Sequence, residues 1–253
     1  MREIIIDNNI LNNYEDDNLS IKDRKIIFKR NGDYTLEYRN SDLIDLDIDI
    51  LDGVMIKLFI YSSDNELKVN NHYQLGKDSN LLLFQFYYNK RVLENIQVDL
   101  NGENSKFSQG FSSISVGNEE YHIIVNHNHH RVQSNISNKC IGLDGSKIKL
   151  QIDSMLDTGN VDCVMDQTSR ILTLGDVEAQ IIPNMFIEED SVEAKHGSVI
   201  GGFQEEELFY MMSRGICEEE AISLLIKGFI FSNLVVDLEK RARIFQIIQN
   251  LGR

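Results

Sequence analysis

At 253 residues and 29.1 kDa the chain is long enough for one sizeable core, and a β-rich body of this length commonly forms one domain. Its 40 acidic and 25 basic residues give a formal charge of −15. That charge repels phosphate backbones and anionic lipid headgroups, so neither nucleic acid nor a membrane surface is an expected partner.

The longest apolar runs, residues 81–84 and 222–226, fall far short of the ~20 residues that span a bilayer. The start, Met1-Arg2-Glu3-Ile4, carries an acid and no small-residue cleavage site. Cys140, Cys163 and Cys217 are odd in number and lack C-x-x-C spacing, which points to reduced thiols rather than disulfides or a zinc knuckle. A cytoplasmic protein is expected.

Residues 1–40 are rich in Asn, Asp, Lys and Arg and read as an irregular or edge-strand lead-in. Then Leu46, Ile48 and Ile50 alternate with Asp45, Asp47 and Asp49, and Val54, Ile56, Leu58 and Ile60 follow after Asp52-Gly53. Period 2 broken by Asp-Gly is a strand–turn–strand signal. Short strands recur at 81–88, 96–100, 121–125, 148–152, 161–165, 171–174 and 192–194, with Asn101-Gly102, Asp144-Gly145 and Gly175-Asp176 between them. Such spacing suits a sandwich, a barrel or a parallel β-helix, and periodicity alone does not choose among them. No exact internal repeat is visible. Residues 41–202 are thus expected to form the β core.

Residues 203–253 change character. Glu205-Glu206-Glu207 places negative charge in a first helical turn, Leu208, Met211 and Met212 follow at helical spacing, and Gly215 stops the helix. A second helix opens at Glu218 and carries Ala221, Leu224, Leu225, Gly228 and Phe229 on one stripe. A third holds Leu238, Ile244, Ile247, Ile248 and Leu251.

Two further features bear on chemistry. The tract Asn126-His127-Asn128-His129-His130 has no nearby carboxylate or cysteine to complete a metal site and reads as hydrogen-bonded structure. No Gly-x-x-x-x-Gly-Lys-Ser/Thr phosphate loop occurs.

The run from Pro183 through Phe186, Val192, Ala194, His196 and Gly197, followed by Gln204, Leu208-Phe209-Tyr210, Ser213-Arg214-Gly215 and Glu220-Ala221, resembles the SufB/SufD family of iron–sulfur cluster assembly proteins. Weaker landmarks are Asn101-Gly102-Glu103, His130 with Ser137, and Gln167 with Arg170, so the resemblance covers roughly residues 100 to 232.

It implies a mainly β fold, a right-handed parallel β-helix with a C-terminal helical segment. It also implies a scaffold that binds a SufC-like ABC ATPase and either a SufB-like subunit or a second copy of itself. An iron–sulfur cluster would be held transiently and shared with a partner chain. His196 is the implied metal ligand, with Cys163 as a second cluster-binding candidate. Glu205, Glu206, Leu208, Phe209, Tyr210, Arg214 and Gly215 would meet the ATPase.

The chain departs from the family pattern in three places. Gly197 stands where the SufB branch has glutamate, Thr168 lies near that branch's cysteine position, and Ala194 replaces the cysteine of many SufD-like chains. The match is therefore to a short SufD-like form. Two other readings compete: a polysaccharide-active β-helix enzyme, which Asp45, Asp47 and Asp49 serve poorly as a solvated strand face and which the absence of Trp argues against, and a purely structural interaction module.

Overall fold

The computed structural model describes residues 1–63 and 66–251. It opens with β1 (Arg2–Asp7), β2 (Ile10–Leu11), β3 (Tyr14–Glu15), β4 (Leu19–Lys22), β5 (Lys25–Phe28) and β6 (Gly32–Arg39). Longer strands follow: β7 (Leu43–Ile50), β8 (Met55–Ser63), β9 (Glu66–Leu75), β10 (Asn80–Tyr88), β11 (Arg91–Leu100) and β12 (Lys106–Ser115). The last six are β13 (Asn118–His127), β14 (Gln133–Leu143), β15 (Lys147–Leu156), β16 (Cys163–Leu174), β17 (Glu178–Ile187) and β18 (Val192–Gly201). Helices α1 (Glu205–Ser213), α2 (Glu218–Phe231) and α3 (Leu238–Asn250) complete the chain.

From β5 onward each strand pairs in parallel with the strand two places ahead, so odd and even strands separate into two nine-stranded sheets and the chain winds as a β-solenoid of about six turns. Alternation produces this directly. In β7, Ile44, Leu46, Ile48 and Ile50 are buried while Asp45, Asp47 and Asp49 face outward, where Arg24 and Lys25 pair with them. The three aspartates are thus a salt-bridged outer face. The Asp-Gly break at 144–145 is a corner whose glycine has φ +78°, a conformation that a Cβ would strain.

Residues 1–40 carry six strands, and two of them, β1 and β6, belong to the even sheet in parallel register. The hairpins β1–β2 and β3–β4–β5 are antiparallel and close the N-terminal end. At the other end the last turn is open. Its inward residues Ala179, Ile181, Met185 and Ile187 on β17 are only half-buried, and nearly all of β18 is exposed.

The interior also holds polar groups. Glu94 accepts hydrogen bonds from Tyr87 Oη (2.7 Å) and Gln85 Nε2 (3.0 Å), and Glu119 accepts from Ser113 Oγ (2.9 Å) and Tyr121 Oη (3.0 Å). Burial pushes both carboxyls up to about 7.

The outer face of the odd sheet carries a repeated polar unit. Asp99 has His72 Nε2 at 2.7 Å, Gln97 Nε2 at 3.1 Å and Asn126 Nδ2 at 2.6 Å; Asp153 has His122 Nε2 at 2.7 Å, Gln151 Nε2 at 3.0 Å and Asn184 Nδ2 at 2.8 Å. Burial works against these carboxylates, and the hydrogen bonds nonetheless hold both below the usual range.

The outer face of the even sheet is apolar and covered by helices. Phe59, Tyr61, Phe86, Ile114, Ile141 and Leu172 pack under Ile226, Phe229 and Ile230 of α2 and Ile244 and Ile248 of α3. The buried stripe of α2 is Ala221, Ile226, Phe229 and Ile230, while Leu224 and Gly228 of the expected stripe are exposed. α2 is apolar on more than one face, and contact with the sheet selects which face is buried. α3 is anchored at its start: Lys240 is buried against Glu37 of β6 and lies 3.2 Å from Glu3 of β1, and Arg243 bonds Glu37 at 2.9 Å.

Candidate functional site

The open turn and the helices beside it gather most of the residues singled out in the sequence. On β16, Cys163, Met165, Gln167, Ser169 and Ile171 are buried, and register carries that parity to Val192, Ala194, His196, Ser198 and Ile200 on β18. His196 therefore stands on the inward-facing row at the open end, and it is exposed because no further turn covers it.

Its neighbour in register is Gln167. The Gln167 amide donates to Ser154 Oγ (2.7 Å) and to the Asn184 carbonyl (3.2 Å), leaving Oε1 buried without a hydrogen-bond partner. An unfilled acceptor next to His196 is a feature that sequence did not reveal as a site. The only signal was strand parity, which puts Gln167 inward among apolar neighbours.

Cys163 is also inward and buried, at the other end of the same strand. Four residues of register separate it from His196, about 13 Å at the usual strand rise. Its sulfur lies 3.3 Å from the Asn160 carbonyl and 3.4 Å from that of His129, and burial pushes the thiol upward, away from thiolate. The two cluster candidates are thus not brought together. Cys140 is fully buried and Cys217 is exposed at the start of α2. No group of three or more His, Cys, Asp or Glu able to hold a metal ion occurs among the described residues. Of the two cluster candidates, only His196 offers an exposed donor atom.

The histidine tract is structural. His127 Nε2 meets Ser134 Oγ at 2.9 Å and Nδ1 meets the Met155 carbonyl at 3.0 Å, with burial lowering its pKa to about 4. His129 Nδ1 accepts from the His130 amide, and His130 Nδ1 from that of Val161.

Helix α1 follows β18 and buries none of its residues. Glu205 and Glu206 lie in its exposed first turn, Leu208 is half-buried, and Phe209 and Tyr210 are 75% and 61% exposed. Arg214 lies over the Tyr210 ring at 5.3 Å, and Gly215, at φ +87°, ends the helix in a conformation that favours glycine. Met212 of α1 and Leu224 of α2 are exposed as well, so both helices present apolar side chains outward. No helix among the described residues is long and apolar enough to cross a membrane.

Residues 61–229, which contain the open turn, α1 and all but the last two residues of α2, match the family model for the SUF system FeS cluster assembly SufBD core domain. The chain belongs to the SufB/SufD family. Among its relatives, an iron–sulfur cluster assembly SufBD family protein of Mycobacterium leprae is 30% identical over 209 residues, covering 71% of this chain and 50% of the relative. SufD of Escherichia coli is 27% identical over 166 residues, 63% of this chain and 39% of that protein. SufD of Bacillus subtilis is 41% identical over 66 residues, 26% of this chain and 15% of that protein. The chain thus spans about half the length, or less, of these SufBD relatives.

Proposed function

We propose that this SufBD chain is a non-catalytic scaffold subunit of a SUF-type assembly complex. A sister solenoid, either a SufB-like subunit or a second copy, pairs with the open turn. A SufC-like ABC ATPase docks on α1 and the exposed edge of α2. An iron–sulfur cluster, as cargo, is built at the solenoid junction, with His196 as this chain's ligand and the thiolates coming from the partner.

The observation that carries the reading is the open turn itself. One end of the solenoid is closed by antiparallel hairpins, while at the other an exposed parallel strand presents His196 on its inward row. An unpaired strand edge is a template for another chain. The projecting apolar surface of α1 supports the ATPase contact in the same way, because exposed aromatic residues of this kind mark interfaces.

Anaerobic reconstitution of the assembled complex tests the ligand. His196→Ala is expected to lower cluster yield while leaving the melting temperature and ATPase binding unchanged. Equal yield from His196→Ala, or a loss from Cys163→Ser alone, would remove His196 from the role. For the ATPase, Phe209→Ala with Tyr210→Ala is a better probe than truncation at Gly202, which would strip the cover from Phe59, Tyr61 and Phe86. Undiminished ATPase binding by that variant would rule out α1 as the docking helix.

A further inference from the structure

Lys139 of β14 and Arg170 of β16 are partners in register on the outer face of the even sheet. Both lean on the same aromatic ring: Lys139 Nζ is 5.3 Å and Arg170 Cζ 5.6 Å from the ring centre of Phe229. Lys139 donates to Ser232 Oγ at 2.6 Å, and Arg170 Nε is buried with no hydrogen-bond partner.

Neither cation forms an ion pair among the described residues, whereas Lys25, Lys147, Lys195 and Lys240 each have a carboxylate. Burial lowers the Lys139 pKa, the Arg170 charge pushes it the same way, and no carboxylate opposes them. In a chain of charge −15, an adjacent cation pair without an acid is an unfilled half of an interaction.

The surroundings indicate where the other half comes from. Arg170 faces Val199 on β18, which is 55% exposed. The outward positions on either side of Val199 are Gly197 and Gly201, where an added Cβ would meet nothing within 4 Å. The outer face of β18 is therefore nearly bare beside Arg170. A strand added to β18 would lie about 10 Å from β16, two strand spacings away. That is within the combined reach of Arg170 and a glutamate side chain, while Lys139, one strand farther back, adds its charge from behind.

We propose that Arg170, with Lys139 behind it on β14, forms the seat for a carboxylate of a SufB-type solenoid subunit pairing with β18, fixing that partner's register across the bare strand. This rests on the open-turn pairing proposed above. Phe229 of α2 roofs the same seat, so occupying it ties the solenoid junction to the helix beside the ATPase-docking surface.

The test titrates this chain with a SufB-type solenoid subunit at low and high salt, comparing the unsubstituted protein with Lys139→Met/Arg170→Met. The variant is expected to bind about tenfold or more weakly at low salt and to lose salt dependence, because the contact is a charge pair. Its melting temperature should hold or rise, since two like charges are removed, and Arg170→Lys should keep most of the affinity.

If the unsubstituted chain does not pair with the SufB-type subunit, this proposal falls, and the open-turn reading keeps only a second copy as its partner. Equal pairing by both proteins overturns the seat alone. A clearly lower melting temperature in the double variant would make the cations packing elements on Phe229 and overturn it too. So would stabilisation of the unsubstituted chain, but not the variant, by inorganic phosphate, which would assign the pair to a free oxyanion.

Discussion

Glu94 and Glu119 lie inside the solenoid with only hydroxyl and amide donors around them, and one oxygen of Glu119 has no partner at all. Their folded-state pKa of about 7 exceeds the ordinary 4.5, so the folded chain binds these protons more tightly than the unfolded one. Their contribution to stability is full below about pH 4.5 and is lost as pH rises through 7, an effect of up to about 3 kcal/mol per group. Chemical denaturation between pH 5 and 8 should therefore show stability falling with pH, and Glu94→Gln with Glu119→Gln should flatten that fall. His127, lowered to about 4 from 6.5, works the other way up to about pH 6.5, so the comparison with the Gln variant decides: an unchanged slope there would show both carboxyls ionised in the folded chain. Strand parity does put Glu94 in the row of Val92, Ile96 and Val98, and Glu119 in that of Tyr121, Ile123 and Val125, but nothing local marks the hydroxyl and amide donors that receive them there. His196 was singled out by its motif, and the structure puts it on the inward row of the open turn. The paired carboxylate units at Asp99 and Asp153 were not legible, because their donors come from three successive turns and leave no local repeat.

The strands were the most legible elements, since period-2 patterning fixes which face is buried wherever one side meets a core. Less legible was what happens outside the core. The third helix was evident from Ile244, Ile247 and Ile248, but its anchor, Lys240 against Glu37, joins residues 203 positions apart. A lysine in a helix gives no sign of such a partner. Truncating one member of a buried ion pair strands the other, which typically costs about 3–5 kcal/mol. Glu37 keeps Arg39 and Arg243, so Lys240→Ala should cost less than that, about 2 kcal/mol, while Lys240→Met combined with Glu37→Gln should recover part of it, as read by thermal unfolding. Failure of the double variant to recover would assign the stability to Arg243 and Arg39, which also bind Glu37. Gly110 shows a similar long-range constraint. A Cβ there would come within 2.2 Å of the Asn233 carbonyl, so the loop after α2 is seated on a strand over a hundred residues earlier.

For the molecule as a whole, composition and strand spacing left a sandwich, a barrel and a β-helix open, and the family resemblance selected the β-helix. Even so, nothing in the patterning showed that one end would be closed and the other left exposed, because Ala179, Ile181, Met185 and Ile187 alternate as regularly as strands in the middle of the core. If chains join through that end, association binds the folded state alone and raises its apparent stability with concentration. Melting temperature measured over a hundredfold range of protein concentration should then rise by a few degrees, and a flat profile would mark the open turn as stable by itself.

The antiparallel hairpins at the N-terminal end have a consequence for assembly. A solenoid with two accepting ends could add units head to tail without limit, as non-closing contacts do in fibres. Here the edge strands left at that end, β2 and β3, are two residues long each and offer a further unit little to pair with. Two chains that meet through their open turns therefore each present a sealed end outward. On that pairing growth would stop at a pair, and a protein built almost entirely of stackable strands would be kept from becoming a filament.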